Sequence, residues 1–117
     1  MTNLTKNFNS SEFACRCCGK EVFLISHVLK LQTLRDFFNK QVTITSGYRC
    51  KNHNKNVGGV SYSQHPLGTA TDIKVKDISP DKVADYAEKH FDGVGRYDGF
   101  THLDSRGYSA KWDNRTK

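Results

Sequence analysis

Three residues in this chain have the types and setting for metal chemistry: His65, Asp72 and His102. Two imidazoles and one carboxylate leave a fourth position for water, which is the composition of a catalytic rather than a structural zinc site. Asp72 lies within TATDIKV, Thr69 to Val75, a run that reads as a strand. Strands disfavour Asp, and burying an unpaired carboxylate is costly, so a metal or a cation there would remove the conflict. His65 follows Gly58, Gly59 and Ser63 and precedes Pro66, Gly68 and Ala70, residues that permit tight backbone and close packing. The competing reading is the ordinary one of surface histidines and solvated acids.

Residues two apart on a strand share a face, so His102 and Asp104 project together and Asp104 can reach an attacking water. Asp98, the other nearby acid, occupies a turn, where its local role is to favour turn backbone. The general base therefore lies between Asp104 and Asp98, with Asp104 the better placed. Arg49 suits a bidentate contact with a substrate carboxylate or polarisation of a scissile carbonyl. Arg106 is either a second anion contact or the partner that orients Asp104. His27 at a helix start, His90 at a helix end and His53 in a polar stretch are read as non-ligands.

Positioning these groups requires a set of elements. Val28, Leu31, Leu34 and Phe38 recur at helical spacing, with Leu24 and Phe37 beside them and Ser26 as N-cap, predicting an amphipathic helix to about Phe38. Val42 to Thr45 (VTIT) reads as a strand broken by Ser46-Gly47. Tyr48 to Val57 reads as a short helix or loop, and Gly58 to Ser63 as irregular backbone. Ser79-Pro80 opens a second helix, with Asp81 near its positive end, Lys89-His90 near its negative end and Gly93 as its stop. In GVGRYDGFTHLD, Asp98-Gly99 predicts a two-residue type I′ hairpin turn. That register sets Tyr97 opposite Phe100, and His102 opposite Gly95, which has no side chain to obstruct a ligand. The class is α+β: a single small domain over 1–117, an antiparallel sheet with helices packed on one face.

The 117 residues suit one core, and no stretch approaches the ~20 apolar residues that span a bilayer. The start carries no apolar run of signal-peptide length, so cytosolic synthesis is expected and no membrane partner. A net charge of +6 favours an anionic partner. Its Lys and Arg form no stripe interleaved with aromatics, which argues against nucleic acid. Cys15, Cys17, Cys18 and Cys50 read as reduced thiols, as a structural metal site, or as a disulfide tying the amino-terminal segment to Cys50. The adjacent Cys17 and Cys18 do not match paired zinc-ribbon ligands.

Taken in order, Ser46-Gly47-Tyr48-Arg49, Gly58-Gly59, Ser63-Gln64-His65, Gly68 through Ile73, Gly95-Arg96-Tyr97 and Phe100 through Arg106 resemble the zinc D-Ala-D-Ala carboxypeptidase family. That family includes phage endolysins, murein endopeptidases and D-Ala-D-Ala dipeptidases, and shares its core with the hedgehog amino-terminal domain. The resemblance runs from about Phe8 to Trp112. It implies a hedgehog/D-Ala-D-Ala peptidase-like fold, a Zn2+ held by His65, Asp72 and His102, Arg49 near the substrate carbonyl or carboxylate, and Ser63 as a substrate contact. Many members carry the catalytic acid three residues before the last His, where this sequence has Gly99, so the His-x-Asp form again points to Asp104. The implied activity is hydrolysis of peptidoglycan stem peptides by a monomer, with Asp104 passing a proton from water to the leaving amine. The implied setting is the bacterial cell wall, in a phage-type lytic role. The alternative from another class is a zinc-containing cell-wall-binding module without turnover.

Overall fold

The computed structural model describes residues 3–16, 18–50 and 68–116. Ser63, His65, His53, Gly58-Gly59, Cys17 and most of the stretch Tyr48 to Val57 lie outside these residues.

The first helix, α1, spans Ile25–Phe38 and ends where Asn39 turns left-handed at φ 51°. Its buried stripe is Val28, Leu31 and Leu34, as the spacing predicts, whereas Leu24 and Phe37 stay exposed. The expected Ser26 cap is not used. Leu24 holds the N-cap position without a side-chain cap, and its carbonyl accepts from the amides of His27 and Val28. The second helix, α2, spans Pro80–Ala87 and begins as expected, with Ser79 Oγ accepting from the Lys82 amide at 3.3 Å and proline in the first turn. It stops short of the predicted end. Glu88 to His90 are in turns, and Gly93 opens a strand instead of closing the helix.

The strands are β1 (Val42–Ser46), β2 (Ala70–Val75), β3 (Gly93–Arg96), β4 (Thr101–Asp104) and β5 (Ala110–Asp113). They form one sheet in the order β1-β2-β4-β3-β5. The first three pairings are antiparallel, and β5 runs parallel to β3. The fold is α+β, as the pattern of elements predicts. Among the described residues no helix is long and apolar enough to cross a membrane.

Strand alternation divides this sheet into two faces. Ile73, Val75, Val94 and Leu103 project into the core with Val28, Leu31, Leu34, Val83 and Ala84 from the helices. Paired residues of an antiparallel ladder share a face, so Asp72, its partner His102, and Asp104, paired with Ala70, lie together on the opposite face. His27 belongs to the core side. It is buried, with Nδ1 2.8 Å from Ser105 Oγ and Nε2 3.0 Å from Thr71 Oγ1, so both ring nitrogens are satisfied inside the protein.

The β3-β4 hairpin has the predicted register, with Gly95 opposite His102. Tyr97 and Phe100 stack at 4.4 Å between ring centroids. The type I′ turn does not form, because that turn needs positive φ at both central residues and neither Asp98 nor Gly99 has it. Tertiary contacts hold the connection instead: Asp98 accepts from the Thr116 amide, and Tyr97 Oη accepts from Trp112 Nε1 at 2.9 Å. Arg96 ties the hairpin to α2 through Asp81, Asp85 at 2.7 Å and Glu88 at 3.0 Å.

Candidate metal centre

On the face away from the helices, β1, β2 and β4 bring five side chains into one chain of contacts. His102 Nδ1 lies 3.0 Å from Asp72 Oδ1, and His102 Nε2 lies 2.8 Å from Asp104 Oδ2. Arg49 Nη2 donates to Asp72 Oδ2 at 3.3 Å. At the other end Arg106 grips Asp104 with both arms of its fork, Nε to Oδ1 at 2.9 Å and Nη2 to Oδ2 at 2.7 Å, while its own amide donates to Oδ1 at 3.3 Å. Cationic and anionic groups alternate along this row, which keeps several buried charges paired.

Local backbone explains how Arg49 reaches the row. Ile44 pairs with Ile73, but Ser46 rather than Thr45 pairs with Asp72, so β1 carries an extra residue at this point. Such a bulge re-aims the chain beside it. Thr45 Oγ1 donates to the Asp72 carbonyl at 3.1 Å, and Ser46 Oγ accepts from Arg49 Nε at 3.1 Å.

The Asp104 carboxylate has 0% exposure, and space for it comes from Gly93. A Cβ at Gly93 would lie 2.1 Å from Asp104 Oδ2. Gly95, by contrast, does not clear a path for a ligand. A Cβ there would meet the Trp112 indole at 2.5 Å, so the ring of β5 fills the space opposite His102. Trp112 packs 4.9 Å from the His102 ring, and the Arg106 guanidinium lies 5.3 Å from the indole centroid. Sequence reasoning did not identify Trp112 as part of this site. The one available signal was that it is the only tryptophan in the chain.

The electrostatics follow from these contacts. Burial works to lower the His102 pKa, but the bonds to Asp104 and Asp72 more than offset it and leave the imidazole above its ordinary value. Burial alone would raise Asp104, yet bonds from His102 and Arg106 hold its carboxyl well below the usual carboxylate range. Burial lowers Arg49, with Asp72 opposing.

This donor set fits zinc. With Asp104 accepting the Nε2 proton, His102 presents its Nδ1 lone pair to Asp72 Oδ1, and two facing acceptors need a cation between them. A proton meets that need, and so does a metal. Tetrahedral ligands at about 2.0–2.1 Å from zinc stand roughly 3.3 Å apart, close to the separation of these two atoms.

Of the residues singled out in the sequence, Arg49, Asp72, His102, Asp104 and Arg106 come together; Asp98 does not. Asp104, expected as the base, is fully buried, and both its oxygens are bonded to His102 or Arg106. Arg106, expected as an anion contact or as the partner of Asp104, bonds to Asp104 here.

The sequence profile of the family described as Peptidase M15 matches residues 6–104. No protein with a curated description matches the chain.

Proposed function

The chain belongs to the peptidase M15 family, whose members are zinc peptidases, and on that premise we propose that it hydrolyses peptide bonds of peptidoglycan stem peptides. The observation that carries this reading is the convergence of Asp72 Oδ1 and His102 Nδ1 at 3.0 Å, with the far ring nitrogen held by Asp104. Asp72 and His102 are two of the three ligands, and the sequence pattern around Ser63-Gln64-His65 assigns the third to His65. When bound, zinc supplies Lewis acidity that polarises a scissile carbonyl and eases ionisation of water.

The protein's own residues do the rest. Asp104 is a positioning residue: it accepts the Nε2 proton of His102, fixes the tautomer and raises the basicity of Nδ1. Arg106 holds Asp104 in place. Arg49, beside Asp72, is the cation to meet the carbonyl or terminal carboxylate of a peptide, and Ser63 is taken as a substrate contact from the family resemblance. The net charge of +6 suits approach to an acidic wall polymer.

The test is incubation of the zinc-loaded protein with purified peptidoglycan and with D-Ala-terminated peptides, following new amino groups and fragment masses. Release that stops with a chelator and returns with zinc is the expected result. Wall binding without any peptide cleavage would favour a non-catalytic module instead.

A further inference from the structure

A second group of side chains able to hold a metal shares no residue with the row on the sheet. The ligand atoms of Cys15, Cys18 and Cys50 all stand within 4.8 Å of one another, and no disulfide joins these three residues. Cys15 is buried, Cys50 half-buried and Cys18 exposed. We propose that these three thiols form a second, structural zinc site that staples the amino-terminal segment to the chain leaving β1.

The backbone is shaped for this. Cys15 and Cys18 have two residues between them, the separation at which paired cysteines in zinc sites share one ion. The expectation that the run was unsuitable rested on the neighbours Cys17 and Cys18. The fold uses Cys15 with Cys18 instead. Gly19 follows at φ +75°, its amide donating to the Cys15 carbonyl at 2.7 Å, and the Cys15 amide donates to the Lys20 carbonyl at 2.9 Å. This tight turn keeps both thiols on one side. Cys50 approaches from β1, and its amide donates to Cys15 Sγ at 3.3 Å, a contact that favours a negatively charged sulfur.

Other contacts hold the same two segments together. Arg16 donates to the Thr45 carbonyl at 2.7 and 3.1 Å, and the Tyr48 amide donates to the Phe13 carbonyl at 3.0 Å. Gly47 packs so closely that a Cβ would lie 2.8 Å from Phe13 Cα. The thiols therefore sit in a fixed junction. Sulfurs about 2.3 Å from a tetrahedral zinc stand roughly 3.8 Å apart, so small adjustments within that junction complete the geometry. Three thiolates leave one position for a further ligand. Cys50 directly follows Arg49, so the ion would also anchor the segment carrying that residue.

The proposal is independent of peptidase activity, and cobalt distinguishes the two sites. Reduced, metal-free protein loaded with Co2+ should show near-ultraviolet sulfur-to-cobalt charge-transfer absorption, which the nitrogen and oxygen donors of the sheet site cannot produce. In zinc, three of the four thiols should resist alkylation by mass spectrometry. Cys18→Ser, an exposed change with little effect on packing, should weaken this zinc by at least about tenfold, the lower end of what even an indirect ligand change costs. Cys50→Ser should abolish the charge-transfer band. Absence of that band in the cobalt-saturated native protein, or alkylation of all four thiols at saturating zinc, would overturn the proposal.

Discussion

Replacing Asp104 by Asn separates positioning of a metal ligand from proton transfer. Asp104 Oδ2 accepts from both His102 Nε2 and Arg106 Nη2, and Oδ1 accepts from Arg106 Nε and the Arg106 amide. An amide group therefore sets its NH2 against two donors whichever way it is turned. One escape is for His102 to move its proton to Nδ1 and accept at Nε2, but Nδ1 faces Asp72 and is the atom proposed to bind zinc. Zinc affinity should fall about 10- to 100-fold, or roughly 1.4–2.7 kcal/mol. Removing one partner of a buried pair costs about 3–5 kcal/mol. Arg106 keeps 12% side-chain exposure, so the loss of metal-free stability should sit at or below the lower end of that range. Competition with a chromophoric chelator measures the first quantity and denaturant unfolding of metal-free protein the second. If Asp104→Asn binds zinc as tightly as the native protein while its zinc-loaded turnover drops ~10²-fold or more, Asp104 is a proton carrier and the positioning argument is wrong.

Gly93→Ala should act on the same carboxylate from behind: its Cβ has no room beside Asp104, and overpacking of about 1–3 kcal/mol should appear in chemical denaturation together with weaker zinc binding. Asp98→Asn should leave turnover within about twofold, because Asp98 serves the Thr116 amide at the hairpin end; inactivation of a zinc-loaded, folded variant would return the acid role to it. The pH dependence should change sign with metal. His102 is held above its ordinary pKa without zinc, so its contribution to metal-free stability is full below about 6.5 and is lost as pH rises through the higher folded value. With zinc present, protons compete for the imidazole and occupancy falls as pH falls. Melting temperature against pH, measured with chelator and with excess zinc, should therefore slope in opposite directions near neutrality; parallel slopes would contradict His102 as a ligand.

Local sequence determined those features that depend on residues close together in the chain. The i, i+3 spacing of Val28, Leu31 and Leu34 carried α1, Ser79-Pro80 carried the start of α2, and the spacing around Asp98-Gly99 carried the register that pairs Gly95 with His102. An acid in the middle of a strand marked Asp72, since a buried carboxylate requires a partner. Tertiary structure decided what those residues touch. The contacts of Asp104 turned on Arg106 and on the space left by Gly93 in a neighbouring strand, and the opening expected at Gly95 was filled by Trp112 from β5. The turn at Asp98 yielded to contacts with Thr116 and Trp112, since local turn preference is weaker than several long-range bonds. Cys50 lies 35 residues from Cys15, and only the folded chain brings their sulfurs together. Periodicity reports which face a side chain takes, but distance in space between separate strands is set by pairing and packing, and no single segment contains that information.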